Sequence, residues 1–133
     1  MSEFQDRQDI SDLLIRYATG IDRRDWDLFR TVFTPDCHAD YGQIGVWDGV
    51  EEITKFMDVV HAELGYLMHR ISNIVIDLQG DRAVTRCYVD AWIMLADDAS
   101  GVNATGFYDD EIVRTDAGWR IARRTFTSVR LAN

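Results

Sequence analysis

One carboxylate and one imidazole stand where apolar side chains are expected. Ile10, Leu13, Leu14, Tyr17, Ala18 and Ile21 recur at spacings of three and four, the stripe of a helix with one buried face. Counting in fours from Ile10 through Leu14 and Ala18 reaches Asp22, so the stripe delivers a carboxylate inward. A buried carboxylate is costly unless it is paired or hydrogen-bonded. His69 shares a mostly apolar strand face with Leu67, Ile71, Asn73 and Val75. A carboxylate that holds an imidazole makes a general base at neutral pH. The expectation is an Asp22–His69 hydrogen bond, reached from opposite sides of an interior pocket. The bland alternatives are a solvated or capping carboxylate at a helix end and a satisfied core histidine.

Three further groups could take part. Tyr17 lies on the helical stripe, where a tyrosine is either core or a pocket hydroxyl. Asp90 shares a strand face with Tyr88, Trp92 and Met94, while Val89, Ala91 and Ile93 form the other. An acid among large side chains reads as a wet pocket wall, and the alternative is a solvent-facing carboxylate paired with an Arg of a neighbouring strand. Of the other histidines, His38 points outward, and His61 lies beside the Met57 stripe, a rim position at most. The aromatic side chains Trp26, Phe29, Phe33, Tyr41, Trp47, Phe56, Trp92 and Phe107 are mostly core. The subset that lines a cavity suits a flat, apolar, cyclic ligand.

The elements that must position these groups are legible in outline. Ser2 with Gln5 forms a capping-box pattern that starts a helix running to about residue 20 or 21. Asp25 caps a second, short helix whose apolar side is Trp26, Phe29, Val32 and Phe33, ended by Thr34-Pro35-Asp36. A short strand at 37–41 follows. Asp48 and Glu51 make another capping pair, opening a third helix with Ile53, Phe56, Met57, Val60 and Leu64 buried. From Leu67 the periodicity turns strand-like, with strands at about 67–78, 82–96, 103–115 and 118–130 joined by Gly- and Asp-rich hairpin turns. The fold class is α+β: three N-terminal helices packed on a strongly curved antiparallel sheet, a cone with an internal pocket.

The bulk numbers fit one domain spanning residues 1–133. Twenty-three acidic against fourteen basic residues give a net charge of −9, which argues against nucleic acid or anionic membrane as a partner. Cys37 and Cys87 lie far apart in no metal-like spacing, and there is no Gly-rich phosphate loop, so neither metal nor cofactor is expected. The polar, acidic N-terminus and the lack of a long apolar run make the cytoplasm the default location. Both faces of strand 82–96 are apolar and only one can line a pocket, which predicts a homo-oligomer, dimer or trimer.

Along its whole length the chain resembles the SnoaL-like group of the nuclear transport factor 2-like superfamily. The resemblance rests on Tyr17-Ala18 with Asp22, Trp47-Asp48-Gly49, Met68-His69-Arg70-Ile71-Ser72-Asn73, Gly80-Asp81-Arg82-Ala83 and Gly118-Trp119-Arg120-Ile121-Ala122-Arg123-Arg124. It points to scytalone dehydratase, bile-acid 7α-dehydratase and hexachlorocyclohexane dehydrochlorinase, which use a helix-one Asp with a strand His for elimination. By motif position these are Asp22 and His69, with Tyr17 five residues before the Asp and Arg124 as a pocket arginine. Asn73 belongs to the same motif. Where the dehydratases carry a further His or Asp, this chain has Trp92, with Asp90 the nearest acid. The resemblance implies a cofactor-free lyase or isomerase acting on a small hydrophobic cyclic molecule through Asp22, His69 and Tyr17, with Asp90, Trp92, Arg124, Asn73 and Tyr88 at the substrate. The alternatives are a non-catalytic binding or subunit-pairing domain of the same fold and a dioxygenase small subunit.

Overall fold

In the computed structural model, which describes residues 2–132, helix α1 runs over Glu3–Asp22. The Ser2 hydroxyl accepts the Gln5 backbone N–H at 3.1 Å, while the Gln5 side chain turns away to Asp9, so only half of the capping box forms. Helix α2 is a single turn, Trp26–Arg30, capped by Asp25 on the Leu28 N–H at 3.1 Å. Where α1 and α2 cross, a Cβ on Gly20 would meet the Phe29 backbone at 3.1 Å, so glycine permits the close approach. Phe33 does not extend α2. It opens strand β1, Phe33–Asp40, four residues earlier than the pattern predicts. Pro35 has no N–H to pair, and it falls in the register break between Phe33 and His38 where none is needed.

A 3₁₀ turn at Gly42–Ile44 leads into a short strand β2, Val46–Asp48, which the sequence pattern does not reveal. Helix α3 spans Val50–His61. Its predicted cap is absent. Gly49 occupies the cap position at φ 94°, the Asp48 carboxylate instead accepts His38 Nδ1 at 2.6 Å, and Glu51 pairs with Arg30.

The remaining strands are β3 Leu67–Gln79, β4 Arg82–Met94, β5 Gly101–Thr115 and β6 Gly118–Ala132. The sheet order is β2-β1-β6-β5-β4-β3, and every pairing is antiparallel except β1 with β6, which is parallel. The curved sheet is not closed, and the helices cover its concave face. Ile10, Leu13, Leu14, Phe29, Ile53, Ile112 and Ile121 are completely buried between the layers. Near the N-terminal end of α1, Asp6 receives two guanidinium bonds from Arg114 at 2.8 Å and one from Trp119 Nε1 at 3.3 Å, clamping the helix to β5 and β6. Among the described residues no helix is long and apolar enough to cross a membrane.

Candidate active site

Asp22 is the last residue of α1, and His69 is the third of β3. The helix lies along this strand, so the carboxylate arrives with both oxygens committed. Oδ1 accepts His69 Nδ1 at 2.7 Å, and Oδ2 accepts the His69 backbone N–H at 2.9 Å. The two-point contact fixes the ring against its own strand and assigns the imidazole proton to Nδ1. Nε2 is left with a free lone pair. The His69 side chain is 9% exposed and that of Asp22 22%, a pairing that limits the cost of burying the charge. One detail departs from the expectation. Asp22 does not line the cavity, so its carboxylate meets His69 outside the ligand space and not across it.

His69 forms part of the wall of a cavity of about 250 Å³. Tyr17 and Ile21 contribute from α1; Phe56, Met57, Val60 and His61 from α3; Tyr41 and Ile44 from the turn before β2. The sheet supplies Val89, Ala91, Ile93, Ala104, Tyr108 and Phe126. A cavity of about 150 Å³ holds one benzene, so this one takes a compound of one or two rings. Almost all of its surface is carbon, and the polar groups number only a few, which lets each decide orientation.

Behind the tyrosines lies a buried charge. Arg124, 1% exposed, donates from Nε and from a terminal nitrogen to the two oxygens of Asp110 at 2.8 and 2.9 Å. Its guanidinium lies 4.2 Å from the Tyr17 ring centre and 3.8 Å from that of Tyr108. Its third nitrogen reaches the Tyr41 hydroxyl at 3.5 Å, and the Tyr41 and Tyr17 hydroxyls are 2.7 Å apart. Burial raises the Asp110 pKa and the Arg124 charge opposes that; the bidentate geometry holds the two as carboxylate and guanidinium. Burial likewise drives the Tyr17 and Tyr41 pKa values well up, so both remain phenols that can donate. With Arg124 donating to Tyr41 and Tyr41 to Tyr17, the Tyr17 proton turns toward the cavity side, where the Tyr108 hydroxyl shares it.

A family profile described as a SnoaL-like domain matches residues 2–125. This chain is a SnoaL-like domain. It is similar to an uncharacterized protein of Mycobacterium tuberculosis, 36% identical over 129 residues, which cover 96% of this chain and 88% of that protein. Among solved structures, the Kfla4162 protein from Kribbella flavida superposes with a TM-score of 0.91 at 26% identity, covering 99% of this chain and 96% of its own. A hexachlorocyclohexane dehydrochlorinase from Novosphingobium barchaimii shares the fold, with a TM-score of 0.86 at 18% identity over 97% of this chain and 90% of its own.

In this SnoaL-like domain, Asp22, His69 and Tyr17 come together, and the other predicted contacts do not. Tyr88, Asp90 and Trp92 lie on the outer face of β4, while the alternate residues Val89, Ala91 and Ile93 face the cavity. Tyr88 is 49% exposed and Trp92 42% exposed, and Asp90 is bound by Arg70 of β3 and by Asn103 Nδ2 at 2.7 Å. These are cross-strand partners on a solvent face, since the apolar small residues win the concave side. Asn73 is exposed at φ 51° inside a bulge between Ser72 and Val75. The extra residue flips the alternation, so Ile74, Ile76 and Leu78 turn inward and Val75 outward. Arg124 does not reach the ligand space; it props the tyrosines that do.

The sequence reading undervalued four residues. Tyr108 and Asp110 continue the inward alternation of Gly106 and Ile112 along β5, and an acid on an apolar face is the signal that singles out Asp22. His61, near the end of the buried α3 stripe, lines the cavity instead of rimming it. Arg24, at φ 52° just after α1, binds the carbonyls of His61, Leu64 and Gly65 at 3.1, 3.0 and 2.7 Å. That clasp joins the Asp22 end of α1 to the His61 end of α3. Among the described residues no three His, Cys, Asp or Glu side chains converge as a metal site.

Proposed function

We propose that this domain is a lyase or isomerase whose base is His69, acting on a small cyclic carbonyl compound of one or two rings. The observation that carries the reading is the two-point bond from Asp22 to His69, which leaves Nε2 as an acceptor inside an apolar cavity. In the first step Nε2 takes a proton from the carbon beside the carbonyl. The C–H electron pair moves into the ring, and charge develops on the carbonyl oxygen. Tyr17 donates a hydrogen bond to that oxygen, with the charge of Arg124 behind it. Asp22 stabilises the imidazolium without accepting its proton. From the enolate, expulsion of a β-substituent with its electron pair completes an elimination; where the ring carries a C=C conjugated with the enolate, return of the proton to the far carbon of that bond completes an isomerisation.

A panel of cyclic ketones incubated in deuterated water, followed by proton NMR, tests the step common to both outcomes. Exchange at the carbon next to the carbonyl is expected for ketones that bind, and it should vanish in His69→Ala. Ketones that bind but exchange no faster than with His69→Ala would defeat the base. A second reading, a ligand-binding domain without catalysis, draws on one observation. With Asp90 on the outer face and Asp22 behind His69, the cavity wall carries no carboxylate among the described residues.

A further inference from the structure

Two imidazoles line the one cavity, and the proposed chemistry uses only His69. His61 is 8% exposed and sits at the C-terminal end of α3. Its Nδ1 lies 2.7 Å from the carbonyl of Met57, one turn back. A carbonyl can only accept, so this contact assigns the His61 proton to Nδ1. Nε2 is therefore an acceptor without a partner among the described residues, on a ring that forms the cavity wall. The ring is also held from outside the helix. Trp26 packs against it with ring centres 6.2 Å apart, and Arg24 binds the His61 carbonyl.

We infer that His61 is a specificity-determining residue: its Nε2 accepts a hydrogen bond from a hydroxyl or N–H on the ligand ring, selecting donors over apolar isosteres. The inference rests on reading the cavity as a ligand site and adds the polarity that ligand must carry. Burial favours the uncharged ring, with the Arg24 charge and the neighbouring His69 ring on β3 acting the same way. The Met57 bond and Asp22 on α1 act against them, and the balance lies below the ordinary value. His61 thus serves as an acceptor at neutral pH and not as a cationic donor. The site then offers two kinds of handle: the Tyr17 hydroxyl for an acceptor on the ligand and His61 for a donor. A buried acceptor left empty by the wrong ligand is what makes such a site selective.

The test is equilibrium binding of 2-naphthol and of 2-methylnaphthalene, which replaces the hydroxyl by a methyl group of similar size. Wild-type protein should bind the naphthol roughly three- to tenfold more tightly, the effect of one neutral hydrogen bond. His61→Asn keeps an N–H at the Nδ1 position for Met57 and deletes the cavity acceptor, so the ratio should fall to about one with 2-methylnaphthalene unaffected. His61→Gln, which places an amide oxygen near the Nε2 position, should restore part of the preference. His61→Phe, which fills the ring volume and carries no acceptor, should abolish the preference and decides the matter if His61→Asn does not fold. Equal binding of the two compounds, binding of neither, or a preference that survives in His61→Asn or His61→Phe would overturn the inference. Loss of carbon exchange with the preference intact defeats the proposed base and leaves His61 standing.

Discussion

Asp110 and Asp22, two of the carboxylates that enter the interior of this domain, end in opposite situations. Asp110 is sealed at 2% exposure against Arg124, a partner whose charge is permanent. Asp22 keeps 22% of its side chain exposed and holds His69, a partner that can gain and lose a proton. Both make two hydrogen bonds of 2.7–2.9 Å, so bond geometry does not separate them. The partner does. A carboxylate–guanidinium pair can shape a wall and polarise the tyrosines stacked on it, whereas a carboxylate–imidazole pair at the cavity surface can move a proton. The contrast divides the interior into a fixed electrostatic floor and a reactive edge.

The sharpest way to break this division is at the edge. Asn at position 22 can offer an acceptor to Nδ1 or to the His69 backbone N–H, and its amide N–H₂ must then face the other donor. Either the backbone bond is lost or the ring is driven to the Nε2–H tautomer, which has no lone pair for the cavity. Asp22→Asn should therefore lower the carbon-exchange rate by about four orders of magnitude, the cost of the same change in a hydrolase triad. His69→Ala should do as much. The folding stability of Asp22→Asn, measured by urea denaturation, should fall by no more than about 1.5–3 kcal/mol, the worth of a hydrogen bond to a charged group. Large loss of stability without loss of exchange would make Asp22 structural and erase the contrast.

At the floor the outcome should be reversed. Arg124→Met leaves Asp110 buried and unpaired, which costs about 3–5 kcal/mol of folding stability. Arg124→Met combined with Asp110→Leu removes both charges, and most of that stability should return. Urea denaturation of the two variants measures it. If the single change is mild, the pair is not the structural member, and Arg124 faces solvent or ligand more than its burial implies.

How far each member was legible follows from alternation. Asp22 and His69 sit on uninterrupted patterns, the α1 stripe and the first residues of β3, so residue spacing places them. Asn73 lies one step past the point where that strand bulges, and a period-two count carries it to the wrong face. Asp90 is on an unbroken strand, but Tyr88, Trp92 and Met94 make its face look like an interior one. The small residues Val89, Ala91 and Ile93 are what a ligand space needs, and size cannot be read as burial. Arg124 escapes counting because the β5–β6 register shifts beside Glu111, which turns 124 inward after 119 and 121. The parallel pairing of β1 with β6 joins segments some eighty residues apart, a long-range choice with no local signal.

A link between the two members is Tyr17, whose hydroxyl meets Tyr41 at 2.7 Å on the Arg124 side and Tyr108 on the cavity side. Tyr17→Phe keeps the ring stacked on Arg124 and deletes the donor. Its exchange rate should fall about 10²–10³-fold, as for removal of one oxyanion donor, with binding of 2-methylnaphthalene unchanged. An unaltered rate would cut the floor off from the chemistry and leave it purely structural.

The smallest expected effect concerns His61, the second imidazole, and it tests whether the edge is as open to protons as His69 requires. Burial, the largest influence, depresses the His61 pKa below the usual value near 6.5; the nearby His69 and Arg24 add to this, and the Met57 carbonyl and Asp22 oppose it. The sign follows from linkage. Between the unfolded value and the depressed folded one, the unfolded chain holds a proton that the native protein does not, so stability rises with pH there. The contribution is complete above about pH 7 and is lost as pH falls through 6.5 toward the folded pKa. His61→Gln, which cannot titrate, should flatten the stability profile below about pH 6.5, read as urea midpoints at half-unit steps against wild type. A Gln variant that loses stability as steeply as wild type over this window would mean that His61 takes up its proton freely in the folded state. The cavity edge would then be wet enough to charge both histidines, and the reactive member would resemble an ordinary surface pair more than a buried base.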